Sequence, residues 1–315
     1  MLERVRFQAM GSPCVLHLHV GSRDEARRIA DEAVGEVRRL EAKFSRYRDD
    51  SLASQINRSA GAEDGVRVDD ETAALLDYAA TCHTESGGRF DVTAGVLRRV
   101  WDFRSGRVPT REEVAAVLPL VGWQHVRWEA PYVALPLAGM ELDFGGYVKE
   151  YAVDRVSELC RSLGLAHGLV DLGGDLGVIG PHPDGRPWWV GIRDPLQRGE
   201  ALTGVALESG GIATSGDYER GMVVDGVRYT HVLDPRTGWP VEGLASVSVV
   251  APHCLVAGSA STIAMLHGVH DGEAWLDALG LPSLRVDEHG SCSGPLAAGL
   301  TGPSGPHHDR EFAPL

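Results

Sequence analysis

Apolar positions recur along the chain with two different periods. VRFQAMGSPCVLHLHV (5–20) alternates in places and is rich in Val, Leu and His, which predicts a strand pair broken at Gly11-Ser12-Pro13. Over about 24–44 the period becomes helical: Ala26, Ile29, Ala33, Val37 and Leu40 share a face behind Ser22 and Asp24. The polar stretch FSRYRDDSLASQINRSAG holds a short helix at 51–57, and Asp69-Asp70 cap another that ends near 86, before Gly87-Gly88. RFDVTAGVLRRVWDF has a strand-like start and a helical finish. PLVGWQHVRWE and YVALPLAGMELDF read as consecutive strands. GGYVKEYAVDRVSELCRSLG is a strong helix with Val148, Ala152, Val156 and Leu159 on one face and Gly164 at its end.

The second half reads as short strands with turns between them. HGLVDLGGDLGVIG is a buried strand with glycine-softened turns, followed by strands in WWVGIRDP, ALTGVALESGGIATSGDYER, VVDGVRYTHVLDPRTGWPV and LASVSVVAP. Asp225-Gly226 signals a hairpin, and helices are predicted over 255–266 and 272–279. Strands and helices come in runs rather than in strict alternation, which predicts an α+β fold. One domain is expected over 1–290, with 291–315 as a Gly/Pro-rich disordered tail.

Composition narrows the function classes. A chain of 315 residues buries roughly 75% of its unfolded surface and needs no disulfides. The net charge is −14 and no Lys/Arg block forms a basic stripe, which argues against nucleic-acid binding. The five cysteines are scattered, with no C-x-x-C pair, as expected of reduced thiols rather than a zinc site. The start has no apolar signal core, and no run of about 18 apolar residues exists, so a cytoplasmic protein with no membrane span is expected.

Candidate chemistry is weak when each motif stands alone. DLGGDLGVIG lacks the G-x-G-x-x-G spacing of a dinucleotide loop and reads first as a buried turn, though its glycines let backbone approach a ligand closely. Thr214 and Ser215 are placed at a tight turn whose N–H groups and hydroxyls suit a phosphate; a plain hairpin turn competes evenly. His231 is placed on a strand entering the Asp234–Gly238 turn, where an imidazole can act as a base, although a lone His is more often structural.

Their order is distinctive. AMGSPC, FSRYRDDSLASQIN, GRFDVTAGVL with WDF, LDFGGYVKEYAVDRV, GLVDLGGDL, VGIRDP, IATSGDYER, THVLDPRTG and VSVVAP before a small-residue helix together resemble the ApbE family of flavin transferases over about 7–268. The resemblance implies a single α+β domain related to the T-fold, with mixed or antiparallel sheets and packed helices. It also implies a cleft for FAD, Mg2+ as cofactor, cleavage of the FAD pyrophosphate, and passage of FMN to a Thr or Ser hydroxyl of a partner protein. Some members mainly hydrolyse FAD to FMN and AMP. Such phosphoryl transfer asks a protein for positioning and charge neutralisation.

Residue by residue, the resemblance sets Met10, Gly11 and Ser12 on the pattern M-G-T, and Asp91 and Thr93 on F-D-x-T, at the adenosine side. Lys149 falls on G-G-x-A-K-G-Y-A, Gly173, Gly174 and Asp175 on G-G-D, and Thr214, Ser215, Gly216 and Asp217 on T-S-G-D. Tyr47 is a stacking candidate for a ring. His231 matches the histidine read as base for the acceptor hydroxyl, and a backbone oxygen near Val148 is read as a metal ligand.

Two departures concern the metal. The family pattern A-D-A-x-[SA]-T puts an Asp and a Thr four residues apart on one helical face, a spacing that suits one Mg2+. Here the string is Ala257-Gly258-Ser259-Ala260-Ser261-Thr262: the threonine is present and the carboxylate is not. Glu150, meanwhile, stands where the pattern has glycine. Three readings stay open: weak metal binding through Thr262, a backbone carbonyl and FAD phosphates; compensation by Glu150; or an FAD-binding homologue without metal-dependent transfer. A ligand-free structural protein is the plain alternative to all three.

Overall fold

The computed structural model describes residues 1–197, 199–216 and 221–299. In chain order the first elements are β1 (Leu2–Ala9), β2 (Ser12–His19), α1 (Arg23–Phe44), α2 (Leu52–Arg58), β3 (Val66–Arg67) and α3 (Asp70–Glu85). Then come α4 (Arg111–Val117), β4 (Arg127–Glu129), β5 (Tyr132–Ala134), α5 (Val148–Ser162), β6 (Gly168–Leu172), β7 (Asp175–Gly180) and β8 (Trp188–Arg193). The last are β9 (Ala201–Leu207), β10 (Gly211–Gly216), β11 (Met222–Val224), β12 (Val227–Tyr229), β13 (Leu244–Ala251), α6 (Cys254–His267), α7 (Val269–Leu279), β14 (Ser283–Asp287) and β15 (Cys292–Ser293).

An eight-stranded sheet in the order β1-β2-β6-β7-β10-β13-β14-β15 organises the molecule, and every registered pairing is antiparallel. Side chains leave a strand on alternate faces. Val170 and Leu172 of β6 accordingly join a core shared with α1, α5 and α6, while Leu169 joins a second core under Trp188, Val190, Ile192 and Leu207 of the β8–β9 hairpin. With both faces covered, β6 is buried along its whole length, which explains why Leu169 and Val170 are apolar in succession, with Asp171 its one charged residue. A third core gathers Val96, Leu97, Trp101, Val121 and Met222 beside the β11–β12 hairpin. Cys14, Cys82, Cys160 and Cys254 are buried, and no helix among the described residues is long and apolar enough to cross a membrane.

Four sequence expectations change. The stretch 119–144 yields only the short β4 and β5, because Leu118–Leu120, Trp123–His125 and Phe144–Gly146 form 3-10 turns around Pro119, Gly122 and Gly145. HGLVDLGGDLGVIG is two strands, β6 and β7, rather than one. Residues 92–99, expected to finish as a helix, form a 3-10 segment. Part of the expected tail is built into the fold: β15 pairs with β14, and Pro295–Gly299 makes a 3-10 turn, while 300–315 lie outside the described residues.

α1 is tied to α3 by charge. Arg39 Nη1 and Lys43 Nζ donate to Glu71 at 2.8 and 2.7 Å, and Lys43 also donates to Asp69 at 2.6 Å. Burial would raise the Glu71 carboxyl, but the hydrogen bonds from Arg39 and Lys43 outweigh it and hold it at about 2. A depressed carboxyl pKa stabilises the fold above the unfolded value, near 4.3, and that contribution is lost as pH falls towards 2. Urea denaturation at pH 6 and pH 3 should therefore show a smaller acid loss for Glu71→Gln than for the parent, by roughly 1 kcal/mol at this partly solvated site. Equal acid losses in the two proteins would contradict that assignment.

Candidate active site

One end of the large sheet collects the polar residues. Ala9 pairs with Ser12, so β1 and β2 are joined by just Met10 and Gly11, with φ of 51° and 71°. A two-residue turn with both φ positive matches the twist of a hairpin. Glycine adopts it freely, whereas methionine there costs about 1–3 kcal/mol, the kind of strain that collects at functional sites. The Met10 N–H is held by Glu41 Oε1 at 2.6 Å.

β2 pairs with β6 through Cys14 and Leu172, which brings a second tight turn alongside. Leu172 pairs with Asp175, leaving Gly173 and Gly174 as its two corner residues. A Cβ at Gly173 would stand 2.5 Å from Ser12 Cβ and 2.8 Å from its Oγ, so only glycine lets the turns touch. The same position lies 3.8 Å from Lys149 Nζ. Lys149, in the first turn of α5, reaches Asp175 Oδ2 at 2.9 Å. Asp171 accepts the Gly174 N–H at 2.9 Å, and burial lifts its carboxyl to about 6.

α6 forms the adjoining wall. Ser215, at the end of β10, has its Oγ 2.8 Å from both Ser261 Oγ and Thr262 Oγ1, and Thr214 Oγ1 lies 2.7 Å from Ser248 Oγ. Thr214 and Ser215 therefore lie on a strand, paired with Ser248 and Val247 of β13, and not at a tight turn. The row of hydroxyls faces the helix stretch that carries Gly258. Glu150 crosses from α5 onto Gly258: a Cβ there would sit 2.5 Å from Glu150 Cγ and 2.9 Å from its Oε1. Burial, and then the Asp175 carboxylate, push the Glu150 carboxyl up to about 8. No donor among the described residues reaches its buried Oε2, and the Asp175 carboxyl lies within hydrogen-bond reach of the Glu150 carboxyl.

Other expected residues sit elsewhere. Asp91 accepts the Thr93 N–H and hydroxyl and the Trp123 N–H, and Thr93 Oγ1 accepts the Gly122 N–H at 2.6 Å. Their polar atoms hold the 92–99 segment to the Gly122 turn. Tyr47 is 79% exposed and lies over Arg46, whose guanidinium carbon is 5.0 Å from the ring centroid. Both line a cleft of about 360 Å³ with Arg98, Arg99 and Glu141. Arg46 also approaches Asp143, just before the exposed Gly145-Gly146 turn that leads into α5 and Lys149. His231 is in an irregular segment and not on a strand. It is steadied by the Thr230 hydroxyl on the Val232 N–H, by the Val241 N–H on the Val232 carbonyl, and by the Leu233–Pro240 bridge. Asp217 lies outside the described residues.

A profile described as the ApbE family matches residues 10–284. The chain belongs to the ApbE family. It is 32% identical over 250 residues to a protein named FAD:protein FMN transferase from Vibrio cholerae, a match covering 77% of this chain and 74% of that one. A Treponema pallidum protein of the same name is 33% identical over 264 residues, covering 78% and 72%. The crystal structure of an ApbE protein from Thermotoga maritima superposes with a TM-score of 0.87 at 32% identity, over 96% of this chain and all of that one. The apo flavinyl transferase ApbE of Pseudomonas stutzeri gives 0.84 at 30% identity, over 96% and 98%.

The Mg2+ that the resemblance implies would need oxygen donors at this end of the sheet. No group of three or more His, Cys, Asp or Glu side chains among the described residues is arranged to hold a metal. Mg2+ asks for less: one or two carboxylates, with waters and substrate phosphates completing its octahedron. The facing Glu150 and Asp175 carboxyl groups, with no donor among the described residues on Glu150 Oε2, meet that requirement, and Thr262 is one turn from the glycine on which Glu150 rests. The donor set fits.

Two functional supports escaped sequence reasoning. Asp154 of α5 accepts the Cys254 and Leu255 N–H groups at 2.8 and 2.9 Å, capping α6 from another helix. Ser261 bonds the Gly258 carbonyl at 2.9 Å and Ser215 across the site. Only the helical phase of Asp154, opposite the exposed face of α5, hinted at the first. Asp154→Ala should cost about 2 kcal/mol by denaturant titration, as loss of a cap does, and should speed amide exchange in the first turn of α6. An unchanged midpoint and exchange pattern would contradict the capping role.

Proposed function

We propose that this chain is a FAD:protein FMN transferase that cleaves the FAD pyrophosphate and passes FMN to a Thr or Ser hydroxyl of a partner protein. The observation that carries the reading is the convergence of Lys149, the two touching turns at Met10-Gly11 and Gly173-Gly174, and the Ser215–Thr262 hydroxyls at one end of the sheet. A pyrophosphate brings negative charge to a protein whose net charge is −14, so cationic groups must be local. Lys149 supplies one beside backbone stripped of side chains. Tyr47 over Arg46 offers an exposed ring face for a planar group.

In the reaction the acceptor oxygen bonds to the FMN-side phosphorus, the bond to the bridging oxygen breaks, and AMP leaves with that oxygen. His231 takes the hydroxyl proton as general base. Glu150, Thr262 and the carbonyl of Val148 are the residues that would hold Mg2+. The bound cation would neutralise pyrophosphate charge as it develops on the leaving oxygen. With water in place of the acceptor, the same geometry hydrolyses FAD to FMN and AMP.

The test is to incubate the purified chain with FAD, Mg2+ and a candidate acceptor protein, then look for flavin fluorescence on the acceptor in a denaturing gel. A fluorescent band that disappears on replacing the acceptor hydroxyl by alanine is expected. Gly258, where the resembled pattern has a carboxylate, favours a second reading, FAD binding without transfer. That reading requires FAD bound and intact in excess Mg2+.

A further inference from the structure

We propose that Glu150 supplies the carboxylate of the divalent-cation site from α5, and that Gly258 is the space its side chain occupies. The inference rests on the flavin-transferase reading for its purpose, and on packing for its substance.

A glutamate in the first turn of a helix ordinarily turns back towards its own N-terminal N–H groups or out to water. Glu150 keeps a hydrogen bond with its own backbone N–H and one with Asp175, but its stem lies across α6. Any side chain at 258 would begin 2.5 Å from Glu150 Cγ and 2.9 Å from Cδ and Oε1. Contacts below about 3 Å to the middle of a side chain cannot be met without moving it. Gly258 is buried in the body of α6, where glycine costs about 1 kcal/mol against alanine. It is neither a turn nor a cap, and the one thing its bare backbone does here is to admit the Glu150 carboxyl.

That carboxyl arrives where hard oxygens gather. Gly258 and Thr262 lie four apart on one face of α6, so the carboxyl resting on Gly258 is about one turn from the Thr262 hydroxyl. Ser215 and Ser261 hold the same hydroxyl row. No donor among the described residues reaches the buried Glu150 Oε2, and the Asp175 carboxyl lies within hydrogen-bond reach of the Glu150 carboxyl, an arrangement that is expensive unless a cation or a shared proton joins the two. Glu150, Asp171 and Asp175 lie around Lys149, whose ammonium is paired with Asp175. Against the resembled pattern, an acidic residue is missing at 258 and present at 150, and the two positions touch.

A structural alternative makes a different prediction. If Glu150 were a neutral acid bonded to Asp175, a divalent ion would have no use for it. The experiment follows Mn2+ as a probe cation by the electron paramagnetic resonance of the free ion, using the full chain with and without FAD. Glu150→Gln keeps shape and folding and should weaken Mn2+ binding about a hundredfold or more, since outer-sphere partners alone are worth roughly 10- to 100-fold. Gly258→Asp alone should also weaken it, because the new side chain collides with Glu150. The double variant Glu150→Gly with Gly258→Asp should restore binding to within about tenfold of the parent.

Mn2+ binding unchanged by Glu150→Gln, or strengthened by Gly258→Asp with Glu150 still present, would overturn the assignment. So would a parent protein that binds no Mn2+ even with FAD. The two readings fail separately. FAD cleavage that is indifferent to Glu150→Gln would leave flavin transfer standing and remove Glu150 from it. Mn2+ binding that needs Glu150, without FAD cleavage, would uphold the cation site and remove the transfer.

Discussion

His231→Ala is expected to lower FMN transfer to an acceptor hydroxyl by roughly 10²- to 10⁴-fold, the usual contribution of a positioned general base. The segment around the imidazole is braced on both sides: the Thr230 hydroxyl turns the chain before it, and the Val232–Val241 and Leu233–Pro240 pairings lock the chain after it. Behind these, Trp101 Nε1 donates to the Gly238 carbonyl at 2.8 Å, anchoring the 234–239 loop to the third core. Alanine at 231 leaves that bracing intact, so FAD affinity and thermal stability should stay close to the parent values. Single-turnover transfer separates the base from a structural role: the rate should fall while the FAD dissociation constant holds. A transfer rate within a few-fold of the parent would remove His231 from the reaction.

Lys149→Met is the second large effect. Its ammonium stands 2.9 Å from Asp175 Oδ2 and beside the Gly173 corner, where no side chain intervenes. Removing a charge aimed at a reacting phosphate should cut FAD cleavage by about 10²- to 10³-fold. It also leaves Asp175, only 3% exposed, without its cation, so the single variant loses stability as well. Pairing it with Asp175→Asn separates the two consequences. The double variant should recover most of the stability, because neither charge is left alone, yet stay as slow as the single one. Recovery of cleavage together with stability would show that Lys149 serves the fold and not the phosphate.

Local signals in the sequence were readable wherever neighbours in the chain settle the structure. The apolar stripe from Ala26 to Leu40 predicts a helix over 24–44, and α1 runs from Arg23 to Phe44 with that stripe buried. Asp225-Gly226 predicts a hairpin, and it joins β11 to β12 with Asp225 at φ 51°. Where alternation and short turns compete, the reading fails. The apolar residues at 118–144 look strand-like, but Pro119 removes a donor and Gly122, at φ 144°, breaks the extended path.

The candidate site was legible in part and for a physical reason. Turn glycines and a charged first helical turn declare themselves locally, as at Gly173-Gly174 and Lys149. What those residues meet does not. Asp154 caps a helix 100 residues further on, Ser215 bonds hydroxyls 46 and 47 residues away, and Glu150 fills the space left by Gly258. Asp91 and Thr93 also meet partners that the motif does not announce, the N–H groups of Gly122 and Trp123 some thirty residues on. Long-range partners decide these roles, and periodicity carries no information about them.

The most direct measurement of the central claim is AMP release. Purified protein is incubated with FAD, with and without Mg2+, and the products are separated by chromatography. The account predicts AMP accumulating only with the divalent cation, with the flavin recovered as FMN or on an acceptor, and both slowed by about 10²- to 10³-fold in Lys149→Met. FAD that binds and remains intact through repeated incubation with excess Mg2+ and acceptor would contradict it.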